Sequence, residues 1–215
     1  MLDDALAYVN GSDDLLSTVV IGGLLVPLSA LVLPGLVLQG YLVRVVRESA
    51  VGDDVAPSFT EWGTLFVDGL KVLGVTLGYV LAVGVPVAVG VPLLIPDPAA
   101  IPTWGATTVF YLLGLLALLV HFLLPAACGL FALTGSVASA FNVPSVLSVA
   151  FTFEYAVPWL LSVFVGGLGL VVGVSLSPLL VGLPLLFVSL VLTAYLWGRG
   201  VGEATARRGL RPDPR

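Results

Sequence analysis

The sequence predicts an all-α fold, a multi-pass transmembrane helical bundle of about five spans with one cytoplasmic interfacial amphipathic helix. Three observations predict it. First, only 10% of the 215 residues are charged while 59% are hydrophobic. A soluble domain carries about 25% charged residues, so 8 Lys+Arg and 13 Asp+Glu cannot furnish a water-facing shell. Second, the mean hydropathy of +1.13 comes from long continuous apolar runs, which are unlike the short alternating segments of a membrane β-barrel. Third, the positive charges cluster in two segments. A soluble enzyme and a disordered chain are both excluded.

The elements follow in order. Residues 1–14 are read as a polar N-terminal tail, without the basic n-region of a cleavable signal, so the first apolar segment is expected to stay as an anchor. A crossing helix needs roughly 20 apolar residues. Spans are placed at 15–43, 72–95, 105–133, 156–176 and 178–197, and residues 199–215 form a basic cytoplasmic tail. Pro27, Pro34, Pro86, Pro92, Pro125, Pro158 and Pro184 fall within or at the starts of these spans, where they kink helices more often than end them. Arg44, Arg47 and Lys71 follow the first span, and Arg199, Arg207, Arg208, Arg211 and Arg215 follow the last. Five crossings with the N-terminus outside and the C-terminus cytoplasmic place all eight basic residues on one side of a cell membrane. The first segment is long and carries Pro27, Pro34 and Gly35 near its middle. A single kinked crossing is the favoured reading. A hairpin with both ends cytoplasmic is the alternative.

Residues 58–71 read as the interfacial helix. Ser58 and Glu61 have capping-box spacing. Phe59, Trp62, Leu65, Phe66 and Leu70 then share one face, and Glu61, Thr64, Asp68 and Lys71 the other. Asp68 and Lys71 are three apart and can pair. The simpler role is a headgroup anchor; the sharper is a docking or gating element. Arg44 and Arg47 lie at headgroup depth and serve topology and lipid phosphate, or else pair with Asp68 or Glu61 and fix the loop against span one.

Gly40-Tyr41-Leu42-Val43-Arg44-Val45-Val46-Arg47, then Gly52-Asp53-Asp54, Pro57, Trp62 and Leu65-Phe66-Val67-Asp68-Gly69-Leu70-Lys71 carry a resemblance. In these segments the chain resembles the domain of unknown function 4013 family of mostly archaeal integral membrane proteins. The first third carries the specific motifs, and the likeness extends by order of spans over about residues 15–200. The loop around Pro57 is less acidic than the family pattern. The resemblance implies the membrane topology and implies no activity. An excess of Asp over Glu and a single lysine look like halophile usage.

A weak internal repeat is suggested by Val143-Pro144-Ser145 echoing Ala56-Pro57-Ser58, each between two spans. His121 is the one strongly polar residue near the middle of a span. It is expected to face the interior on a small-residue face with Thr107, Tyr111, Gly114, Ala117, Cys128, Ala132 and Gly135. A neutral histidine bonded across a helix interface is the favoured role, and a proton or ligand site the sharper one. Stripes at Gly74/Gly78/Ala82, Gly169/Gly173 and Ala194/Gly198/Gly202 are read as packing faces, and Tyr195 and Trp197 beside Arg199 as an interfacial anchor.

The functional expectation is correspondingly coarse. The net charge of −5 argues against nucleic-acid binding. One cysteine gives no disulfide and too few ligands for a structural zinc site. No catalytic set stands out, so no enzyme and no cofactor is expected. A non-catalytic bundle in the lipid bilayer, binding lipid, a second copy or a membrane partner protein, fits best. A transporter or channel subunit with a path near His121 is the alternative. The candidate interaction residues are His121, Arg44, Arg47, Trp62, Asp68 and Lys71.

Overall fold

The structure, a computed structural model, describes residues 2–11, 14–94 and 102–210. The expected end of span two at Ile95, and Arg211 and Arg215, lie outside them. Every regular element among the described residues is helical: α1 Leu2–Asn10, α2 Leu15–Leu28, α3 Val32–Val51, α4 Trp62–Leu94, α5 Thr103–Thr134, α6 Val137–Ala140, α7 Val143–Ala150, α8 Phe153–Leu176, a short 3-10 turn Ser177–Leu179 and α9 Gly182–Arg207. Four of them, α4, α5, α8 and α9, are long and apolar enough to cross a membrane. The all-α membrane-bundle class stands.

The first expected span is corrected. It is two helices, broken at Ser29-Ala30-Leu31. Pro27 cannot donate to the last turns of α2, and the chain tightens there into i→i+3 bonds from Ser29, Ala30 and Leu31 to the carbonyls of Val26, Pro27 and Leu28. Leu31 is then extended (φ −87°, ψ 134°). Pro34 falls in the first turn of α3, where a missing N–H costs nothing. The two helices form a hairpin around α9. Going up α1 and α2, Tyr8 meets Tyr195 and Gly23 meets Pro184, which is antiparallel to α9. Coming back along α3, Val46 meets Gly198 and Ala50 meets Gly202, which is parallel to it. The N-terminal helix and the last turns of α9 therefore lie at the same end of the molecule, not at opposite ends as one crossing by 15–43 would require.

Both expected tails are also corrected. Residues 2–10 are helical and bury Ala5, Tyr8 and Val9. The start of the basic tail belongs to α9, whose Val201, Ala204 and Thr205 are fully buried. Tyr195 is a core residue, ring to ring with Tyr8 at 4.6 Å, and not a surface anchor.

No separate interfacial helix occupies 58–71. Ser58 donates instead to Asp14 (3.1 Å), and Glu61 takes a left-handed backbone (φ 55°). The Glu61 carbonyl then accepts from Thr64 and Leu65, so α4 starts at Trp62 and runs on without interruption. The face that α4 buries is Leu65, Asp68, Gly69 and Val72, while Trp62 and Leu70 stay about half exposed. The reason is the solvent. Apolar side chains lose nothing in lipid, whereas a carboxylate needs a partner.

The two inter-span loops differ as well. Residues 52–61 carry no helix, whereas 135–152 carry α6 and α7, the latter capped by Asn142 accepting from the Ser145 amide at 3.3 Å. The Pro-Ser echo does not mark equivalent structures.

α9 is the centre. Half of its most apolar window is buried, against 11% for α4, α5 and α8. α8 packs along it through glycines: a Cβ at Gly169 would overlap the Ser189 side chain, and one at Gly173 would press on Leu186. Trp197 on α9 donates to Ser162 on α8 at 2.7 Å.

Candidate functional site

The charges gather where α3, α4 and α5 meet. α3 and α4 approach closely because Gly40 lies on the Leu65 carbonyl and Gly69 on the Leu36 carbonyl, and a Cβ at either would overlap that backbone oxygen. This proximity sets Arg44 and Arg47, one turn apart on α3, against the first turns of α4.

Arg44 donates to the Thr60 carbonyl (3.2 Å) and hydroxyl (3.0 Å) and pairs with Glu61 at 3.1 Å. It holds the segment that leads into α4. Arg47 reaches two elements. Its Nη2 pairs with Asp68 Oδ2 at 3.1 Å, and its Nε donates to the Ala132 carbonyl at 2.8 Å. That carbonyl is among the last four of α5, which lack a helical partner and carry the negative end of the helix dipole. Lys71 completes the group, with Nζ 3.3 Å from Asp68 Oδ1 and 5.9 Å from the centre of the Phe131 ring on α5. Asp68 is buried between the two cations.

The arrangement is a clamp. One carboxylate, two cations and one carbonyl tie three helices together. Removing one partner of a fully buried ion pair costs about 3–5 kcal/mol. Arg47 and Lys71 are 35% and 39% exposed, so solvent takes over part of the loss and the cost falls to about 1–2 kcal/mol.

Of the remaining candidate residues, Trp62 lies at the rim of an aromatic group. Its ring is 5.8 Å from Phe59, which stacks on Tyr41 at 4.1 Å. His121 is corrected. It is exposed on α5, with its ring edge-on to Trp159 at 5.9 Å and its carbonyl accepting from the Trp159 indole at 3.3 Å. The small-residue face assigned to it is divided. Tyr111 is exposed and Gly114 faces open space, while Ala132 is buried.

Sequence reasoning missed a second group beside the clamp, between α3 and α1. Glu48 is half-buried, and burial pushes its carboxyl up to about 7, helped by Asp53 and opposed by Arg44 and Arg47. The Tyr8 hydroxyl is buried with no hydrogen-bond partner among the described residues. Burial first, then the Glu48 carboxylate, raise its proton affinity. The i, i+3, i+4 spacing of Ala5, Tyr8 and Val9 was the available signal for α1.

The long apolar helices, the buried glycine contacts and the clamp at one end define a helical protein of membrane type. The family model described as "Protein of unknown function (DUF4013)" matches residues 23–181, and the chain belongs to that family. No curated protein and no solved structure matches it.

Proposed function

We propose that the chain is a non-catalytic integral membrane protein whose bundle binds lipid or a membrane partner protein. The observation that carries this reading is where the polar groups and the free surface lie. Asp68, Arg47 and Lys71 are spent on one another and on α5, which suits holding helices and not turning over a substrate. α4, α5 and α8 meanwhile leave most of their apolar surface uncovered. That surface suits acyl chains or another helical protein.

The same reading orients the chain. The pairing of Tyr8 with Tyr195 and of Val46 with Gly198 supports α1, the 52–61 loop and the end of α9 lying together, and the basic residues there favour the cytoplasmic side of a cell membrane for that end. The N-terminus is then cytoplasmic too. A transporter or channel subunit would need another chain to close the outward-facing His121 surface.

Solute flux into liposomes containing wild type or His121→Ala tests the reading. No flux of any solute tried is the expected result. Flux that depends on His121 would overturn it.

A further inference from the structure

A pocket of about 390 Å³ lies between the α7–α8 junction and the end of α9, lined by Phe151, Thr152, Phe153, Glu154, Arg207 and Arg208. Its two walls differ in chemistry. Phe151 and Phe153 are 67% and 85% exposed. Opposite them stand Arg207 and Arg208. Arg208 makes no ion pair among the described residues, and Arg207 pairs with Glu154 inside the pocket while remaining 72% exposed. Two guanidiniums against one carboxylate leave the site cationic.

Exposed aromatic rings beside arginines at the end of a membrane helix suit the headgroup level of a bilayer. A free phosphate would use the arginines and leave the rings uncovered. A protein anion would satisfy the charge but would need an apolar face matched to both rings. A membrane lipid supplies both halves in one molecule, an anionic headgroup and the start of two acyl chains, and it is present wherever this helix end meets the bilayer surface. We propose that this pocket seats an anionic phospholipid, with Arg207 and Arg208 on the headgroup phosphate and Phe151 and Phe153 against the upper acyl chains. Guanidiniums suit this role because they grip phosphate through two parallel N–H donors. Arg207 exchanges its Glu154 carboxylate for the lipid phosphate when the site fills. The proposal names a ligand class for the lipid-binding reading above and rests on it.

The full chain is reconstituted in nanodiscs of equal parts phosphatidylglycerol and phosphatidylcholine, extracted into detergent, and its retained lipids counted by native mass spectrometry. Wild type is expected to retain phosphatidylglycerol preferentially. The Arg207→Gln/Arg208→Gln variant should lose that preference, at roughly fivefold per arginine. Glu154→Gln removes the internal competitor and should strengthen retention. It decides the matter even if the double variant does not fold, since unchanged or weaker retention there would overturn the site. Equal retention of both lipids by wild type would also overturn it, as would full displacement by inorganic phosphate. A preference that survives in a folded double variant removes this site and leaves the broader lipid-binding reading standing, whereas retention of no lipid and no partner by any variant defeats both.

Discussion

α9 and α5 make an instructive pair. α5 is the more hydrophobic, with a mean window hydropathy of 2.3 against 1.5, yet α9 is the more buried, at 50% of that window against 11%. In a soluble protein the order would be reversed, because burial there follows apolar surface. In lipid the acyl chains serve apolar side chains as well as protein does, so packing is decided by close approach. Gly198, Gly200 and Gly202 let α9 touch α3 and α8, and a Cβ at Gly202 would overlap the Ala50 backbone. Gly114 on α5 has nothing within 4 Å of the position its Cβ would take. Hydropathy therefore does not rank these helices by burial, and the glycines of α9 that lie against neighbouring backbone account for its central place, whereas Gly114 on α5 has no such neighbour.

The largest effect that can break this comparison is steric. Gly202→Leu should destabilise the bundle by about 3 kcal/mol or more, because the obstruction is backbone and cannot rotate aside. Gly114→Leu should change stability by less than about 0.5 kcal/mol, or raise it through better helix propensity. Thermal unfolding of both variants in detergent, followed by circular dichroism, checks this. Equal losses would mean that α5 is packed in the membrane as tightly as α9.

A smaller effect sharpens the polar side. Glu48 has its folded pKa raised to about 7 from an ordinary 4.5. A raised carboxyl binds its proton more tightly in the folded state. Its contribution is thus fully present below about 4.5 and is lost as pH rises through about 7. Glu48→Gln should stabilise the protein at pH 8 relative to wild type, with the advantage shrinking towards pH 5. Melting temperatures of the two proteins across that range measure it, and a pH-independent difference would remove Glu48 from the account.

The class of fold was legible because scarcity of charge is a bulk property that no local detail can undo. The hairpin was legible in part. Pro27, Pro34 and Gly35 mark a break, but whether the chain continues or returns depends on Gly22 and Gly23 fitting against Phe187 and Pro184, more than 150 positions away. The pairings of Arg44 with Glu61 and Arg47 with Asp68 could be proposed from spacing. The Ala132 carbonyl could not, because a backbone acceptor has no signature of its own. His121 shows the limit of periodicity, which says what shares a helical face and not which way that face turns.

The packing around α9 depends most on residues 15–51 turning back. Single cysteines at Gly11 and at Ala206, both exposed, can be placed in a Cys128→Ala background and treated in sealed vesicles with a membrane-impermeant maleimide. The hairpin predicts that the two positions react from the same side of the membrane. Labelling from opposite sides would show that the first apolar segment crosses once, and would contradict the arrangement of α1, α2 and α3 around α9.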